Sequence, residues 1–219
     1  MNRVCFPIIK IASVAMLAIV SSLASAQESK PAKADPAKGE ALYNTGDAAR
    51  NITACIACHG AAGNSTISQN PKLTGQPGAY IHKQLLDFKG PARNNPIMTG
   101  IAKAMTEEDI QNVVAYLDKQ KPAPGAARNP ATVELGKKIF RGGIAEKHIP
   151  ACAACHSANG AGIPAQFPRL AGQHQDYTTA QLVNFRSGAR KNSDPMTTIA
   201  KRMSDEEIQA VADYVAGLK

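Results

Sequence analysis

Four stretches of this 219-residue chain carry apolar side chains at helical spacing, and they fall into two pairs. "AYIHKQLLDF" at 79–88 and "DYTTAQLVNF" at 176–185 place apolar groups three and four apart, the pattern of an amphipathic helix. "TEEDIQNVVAYLD" at 106–118 and "SDEEIQAVADYVAGL" at 204–218 each open on a capping box, Thr106 with Asp109 and Ser204 with Glu207. Helical stripes follow: Ile110, Val113, Val114 and Leu117 in one, Ile208, Val211 and Val215 in the other. Asp35-Pro36 and Asn129-Pro130 predict two further helix starts, an N-cap followed by proline at the first helical position. Period-2 alternation is scarce. The pattern predicts an all-α fold of short helices and long loops.

The pairing extends well beyond the helices. At an offset of 97 residues Gly39 falls on Gly136, Tyr43 on Phe140, and "PKLTGQ" at 71–76 on "PRLAGQ" at 168–173. Tyr80, Gln84, Leu85 and Phe88 fall on Tyr177, Gln181, Leu182 and Phe185. One inserted residue after Arg93 and Arg190 changes the offset to 98, after which "IAKAMTEEDI" meets "IAKRMSDEEI". The chain is therefore read as a tandem duplication. Between the copies "KQKPAPGAARNP" has three prolines and no apolar period, the composition of a linker. The expected domains are 27–121 and 129–219, joined by 122–128.

Residues 1–26 have the order of a secretory signal: Arg3 and Lys10, an apolar run from Ile11 to Leu23, then Ala24-Ser25-Ala26. The run of 13 residues is short of the ~20 a spanning helix needs. Cleavage after Ala26 and a periplasmic location are expected. Removing Arg3 and Lys10 leaves a net charge of +6, with basic residues scattered and aromatics sparse. That balance gives no support to nucleic-acid binding. It would suit an acidic redox partner or peripheral association with a membrane surface.

Cleavage would also discard Cys5, so every remaining cysteine belongs to a Cys-x-x-Cys-His motif: "ACIACHG" at 54–60 and "ACAACHS" at 151–157. Each repeat has only about 95 residues, no tryptophan and a long loop after its histidine, so it buries little apolar surface of its own. A large flat group would complete such a core, and Cys-x-x-Cys-His is the attachment signature of c-type haem. Cys55 and Cys58, and Cys152 and Cys155, would bond the ring edges, with His59 and His156 facing the two irons. A disulfide, a thioredoxin-like redox pair or half of a zinc site are the alternatives. Zinc draws its knuckles from nearby chain, whereas these lie 97 residues apart; a redox pair wants a βαβ setting, which the pattern lacks. His82, His148 and His174 have no histidine counterpart and are expected to be surface or loop residues.

Four methionines follow the leader, in two matched pairs. Met105 and Met203 stand directly before Thr106 and Ser204, where a hydrophobic staple would pack them on Ile110 and Ile208. Met98 and Met196 are read as loop residues of "NNPIMTG" and "NSDPMTT", 39 and 40 residues past the histidines, enough chain to return on the far side of a haem. They are the expected second axial ligands.

Both Cys-x-x-Cys-His copies, "PKLTGQ" and "PRLAGQ", "FRGG" at 140–143, "PACAACH" at 150–156 and the methionine-then-capping-box ends resemble the dihaem cytochrome c4 family, two class I cytochrome c domains in tandem. The resemblance implies two covalently attached haems, in domains that face each other about a pseudo-twofold axis with the haem propionates close together at the interface. It implies that Gly39 and Gly136, with Tyr43 and Phe140, mark the crossing of first and last helices near Tyr116 and Tyr214. It also implies that the carbonyls of Pro71 and Pro168 accept a hydrogen bond from the ligand histidines, and that Arg93 and Arg190 pair with propionates. A His/Met iron has no open position for substrate, and the thioether raises its reduction potential. The expected function is electron carriage in a respiratory chain, not catalysis, with a terminal oxidase or an upstream cytochrome complex as partner. The alternative is a dihaem oxidoreductase, reducing peroxide or oxidising thiosulfate at one gated haem.

Overall fold

The computed structural model describes residues 33–219; the expected leader, its cleavage point and the polar stretch up to Ala32 lie outside them. The N-terminal repeat runs α1 (Pro36–Thr45), α2 (Ile56–His59), α3 (Gly78–Lys89), α4 (Pro96–Ala104) and α5 (Glu107–Leu117). The C-terminal repeat follows the same order with α6 (Pro130–Gly142), α7 (Ala153–His156), α8 (Gln175–Ser187), α9 (Asp194–Ala200) and α10 (Asp205–Gly217). Among the described residues β-pairing is confined to isolated bridges, and no helix is long and apolar enough to cross a membrane. The all-α expectation holds.

The helix starts are set by the signals in the chain. Asp35 Oδ1 accepts Ala37 N–H at 2.9 Å and Asn129 Oδ1 accepts Ala131 N–H at 3.0 Å, each with proline next in line. Both capping boxes close: Thr106 Oγ1 accepts Asp109 N–H at 3.1 Å while Asp109 accepts Thr106 N–H at 2.7 Å, and Ser204 and Glu207 do the same at 3.2 and 2.7 Å. Caps of this kind satisfy backbone donors that the first helical turn leaves without partners.

Each repeat has its own core, built where its first helix crosses its last. Tyr43, Ile110, Val113, Tyr116 and Leu117 pack in one; Ile139, Phe140, Ile208, Val211 and Val215 in the other. The approach is close enough that only hydrogen fits on the crossing residues. A Cβ on Gly39 would stand 1.9 Å from Asn112 O, and one on Gly136 would stand 2.1 Å from Ala210 O. The tyrosine of each last helix then tilts against the aromatic of the first, Tyr43–Tyr116 at 5.3 Å and Phe140–Tyr214 at 5.5 Å between centroids. Buried Met105 and Met203 join these cores beside Ile110 and Ile208, as the staple requires.

One expectation fails. Met98 and Met196 are not loop residues: each is the third residue of a helix, α4 or α9. The turn-forming residues around them are helix-start signals. Asn95 accepts Ile97 and Met98 N–H at 3.1 and 2.9 Å, and Ser193 Oγ accepts Met196 N–H at 3.5 Å, with Pro96 and Pro195 in the opening turns.

Candidate functional site

The two motifs form matching short helical turns. Cys55 and Cys152 sit at the N-cap of α2 and α7 in helical conformation, and each turn closes with its histidine. None of the four cysteines is paired in a disulfide, and all four residues are half-buried. Burial pushes the Cys55 and Cys152 thiols up to about 11, so both are neutral at pH 7. His59 and His156 are buried, 8% and 5% exposed. His59 Nδ1 lies 3.0 Å from Pro71 O and His156 Nδ1 2.9 Å from Pro168 O, the hydrogen bonds anticipated at those prolines. A carbonyl only accepts, so Nδ1 carries the proton in each ring and Nε2 keeps a free lone pair. Burial lowers both imidazole pKa values, and the proline carbonyls only partly oppose it. Each repeat thus presents a neutral, oriented imidazole one residue after a cysteine pair.

This donor set fits haem on the cysteine–histidine side, since each short turn carries both cysteines of its motif and ends on a buried histidine whose Nε2 is left free. On the methionine side, Met98 and Met196 are half-buried and border the cores, whereas Met105 and Met203 are 3% and 5% exposed. Zinc finds no cage: among the described residues no three His, Cys, Asp or Glu side chains gather as metal ligands. The remaining histidines serve otherwise. His82 Nε2 is 2.6 Å from Glu107 Oε1 on the surface, His148 is exposed, and His174 Nε2 lies 2.9 Å from Ser65 O of the other repeat.

The repeats meet through exchanged side chains. Gln76 accepts from Arg169 N at 3.0 Å and donates to Arg169 O at 2.7 Å; Gln173 does the same to Lys72 at 3.0 and 2.9 Å. These glutamines end "PKLTGQ" and "PRLAGQ", so the duplicated motif is a reciprocal clasp. A second contact is the bridge between the backbones of Arg93 and Arg190. Around it Arg93 donates to Gln84 Oε1, Tyr177 OH and Gln181 Oε1 at 2.8, 3.0 and 3.1 Å. Arg190 mirrors it on Gln181, Tyr80 and Gln84 at 2.9, 3.0 and 3.0 Å. The guanidiniums also lie over Phe88 and Phe185 at 4.3 and 4.4 Å.

Arg93 and Arg190 are 9% and 7% exposed, yet among the described residues neither forms an ion pair with a carboxylate. Two buried cations with neutral partners call for an anion, and the carboxylates of haem would supply it. Burial alone would raise the Tyr177 pKa, but the two arginines outweigh it and lower it. Neither Gln76 and Gln173 nor Tyr80, Gln84, Tyr177 and Gln181 stood out as an interface in the sequence. The available signal was repetition of polar residues on an otherwise apolar pattern.

The Cytochrome c family model matches residues 36–121 and again 133–219. Cytochrome c4 of Azotobacter vinelandii is 41% identical over 195 residues, covering 83% of this chain and 90% of that protein. The "Thiosulfate dehydrogenase electron acceptor" of Stutzerimonas stutzeri is 43% identical over 192 residues, covering 85% and 88%. Among solved structures, reduced cytochrome c4 from Pseudomonas stutzeri superposes with a TM-score of 0.77 at 36% identity, covering 85% of this chain and all of that one. Two tandem cytochrome c domains, two Cys-x-x-Cys-His motifs and relatives matched over nearly their full length converge: the chain belongs to the dihaem cytochrome c4 family, c-type electron carriers with two covalently bound haems.

Proposed function

We propose that the protein is a periplasmic two-electron store and carrier that passes electrons from a dehydrogenase or cytochrome complex to a terminal oxidase. In this reading Cys55 and Cys58 hold one haem by thioether bonds and Cys152 and Cys155 the other. His59 with Met98, and His156 with Met196, are the axial pairs. The observation that carries it is the repeated imidazole, neutral, buried and locked by Pro71 O or Pro168 O with Nε2 free.

Each bound haem supplies a one-electron Fe(III)/Fe(II) couple. The protein holds His59 and His156 in the metal-binding tautomer. Met98 and Met196, one turn into α4 and α9, are the methionines left over once Met105 and Met203 are committed to the cores. Arg93 and Arg190 place two positive charges between the repeats, which supports docking of haem carboxylates on the shared face and a short path for the electron between sites. The relative named for accepting electrons from thiosulfate dehydrogenase supports a carrier downstream of such an enzyme over an enzyme itself.

Two measurements test this. The intact mass of the exported protein is expected to exceed the polypeptide from Gln27 by two haem masses; one or none rejects the attachment sites. Met98→Ala is expected to turn one haem high-spin and open to carbon monoxide, while Met105→Ala costs about 3 kcal/mol of stability and leaves both spectra intact. The opposite result reverses the ligand assignment.

A further inference from the structure

The twofold likeness of the face between the repeats breaks one turn along α3 and α8. Gln84 and Gln181 are equivalent, but the next residue on that side is Asp87 in α3 and Asn184 in α8. Asp87 reaches into the other repeat: its Oδ2 accepts from Asn192 Nδ2 at 2.8 Å. Lys83 Nζ donates to the same oxygen at 2.5 Å, and Asn192 Nδ2 also reaches Gln84 Oε1 at 2.8 Å. Asn192 Oδ1 in turn accepts from Arg190 Nε at 2.9 Å. Asn192 stands immediately before Ser193, the cap of α9, and four residues before Met196.

Nothing equivalent runs the other way. Ala180 stands where Lys83 would be, and the Asn184 side chain makes no hydrogen bond among the described residues. Asn94, the counterpart of Asn192, is exposed and accepts only from Thr99 Oγ1 of its own segment at 3.3 Å. Arg93 and Arg190 cross the interface in both repeats; the asymmetry lies one step nearer the methionine, where Asn192 is held by the other repeat and Asn94 only by its own.

We propose that Asp87 is a positioning residue that clamps the Met196 segment across the interface, so that Met196 leaves its iron less readily than Met98. The inference rests on Met98 and Met196 being the axial ligands. Swinging α9 outward must break the hydrogen bond to a carboxylate with restricted access to water, and segments with more such contacts open less often. The repeats then differ in ligand lability although their attachment residues are identical in type.

Imidazole is the probe, added to the ferric holoprotein while the methionine-methyl resonance of each haem is followed by NMR and assigned with Met98→Ala and Met196→Ala. Two such resonances in the wild type establish the axial reading before any interface variant is made; their absence overturns that reading and the clamp with it. Given both, the N-terminal haem is expected to take imidazole on the order of tenfold more tightly than the C-terminal haem. Asp87→Ala is expected to bring the C-terminal haem to within about threefold of the other without moving the N-terminal value. Asp87→Asn, which keeps an acceptor oxygen, falls between, and Asn192→Ala reproduces the alanine result from the other side. Equal affinities in the wild type, or an Asp87→Ala shift shared by both haems, would overturn the clamp.

Discussion

The first helix of each repeat is tied to the last by a different group. In the N-terminal repeat Asn112, on α5, accepts Asp35 N–H at 2.7 Å through its side-chain amide oxygen. In the C-terminal repeat that position is Ala210, and the tie has moved to Asp213, one turn along α10. Asp213 is fully buried and accepts Arg128 N–H at 2.7 Å, Asn129 N–H at 3.0 Å and Thr132 Oγ1–H at 3.3 Å. An amide oxygen with one donor has been replaced by a carboxyl group with three. The crossing of the helices, by contrast, is the same in both repeats, down to the glycine. Backbone proximity fixes the architecture, while the polar groups that close it are interchangeable provided each buried donor finds a partner.

If that distinction is right, Gly39→Ala and Gly136→Ala have the largest effects and similar ones, about 3 kcal/mol or more. The added methyl would meet a backbone carbonyl oxygen at 1.9 or 2.1 Å, and a carbonyl inside a helix has no rotamer by which to move aside. Thermal unfolding of the holoprotein followed at the two haems is the check. Tolerance at one position and not the other would mean the crossings are not equivalent.

The tethers should separate the repeats instead. Asp213→Ala leaves the partly buried backbone donors of Arg128 and Asn129 without their acceptor and is expected to cost about 2 kcal/mol; Asn112→Ala leaves one such donor, that of Asp35, and should cost about 1 kcal/mol. Denaturant unfolding of the two variants against wild type measures both. Equal losses would show that the carboxylate contributes no more than the amide, its desolvation cancelling the extra hydrogen bonds.

Much of this comparison was legible in the chain, because duplication exposes what each repeat keeps. The helix starts at Asp35, Thr106, Asn129 and Ser204 carry local signals that need no tertiary knowledge, and the structure closes each of them. Met98 and Met196 read as loop residues because asparagine, serine and proline mark both turns and helix starts; only the hydrogen bonds that their backbone N–H groups donate to Asn95 and Ser193 decide between the two. The Gln76–Gln173 clasp and the Asp87–Asn192 contact were hidden for another reason. They join residues about a hundred positions apart, and no local period reports a partner at that distance. The segment at 122–128 likewise has a linker's composition, yet Ala123 N–H donates to Asn64 Oδ1 at 2.7 Å, and a Cβ on Gly125 would meet Ala216 O at 2.3 Å.

The smallest expected difference lies at the capping boxes, where each acidic member also holds a distant base. Arg50 grips Asp109 with two nitrogens, Nη1 at 2.6 Å and Nη2 at 3.3 Å, while Lys147 meets Glu207 through one contact at 2.6 Å. Burial works to raise both carboxyl pKa values, but Arg50 with the Thr106 cap, and Lys147 with the Ser204 cap, outweigh it and lower them. A carboxyl pKa lower in the folded than in the unfolded chain adds stability above the unfolded value and loses it as pH falls through the folded one. Both bases are partly exposed, so water screens the gain, and Arg50 with its two contacts keeps more of it than Lys147 with one. Arg50→Ala should therefore destabilise more than Lys147→Ala at pH 7, the fork of two donors being the stronger grip. From pH 7 to an acid pH below those lowered carboxyl values, both deficits should shrink towards zero, because the carboxyls become protonated in wild type and variant alike. Denaturant titrations at the two pH values decide it: a deficit at Arg50 that survives in acid would trace to packing of its stem and not to the charge pair.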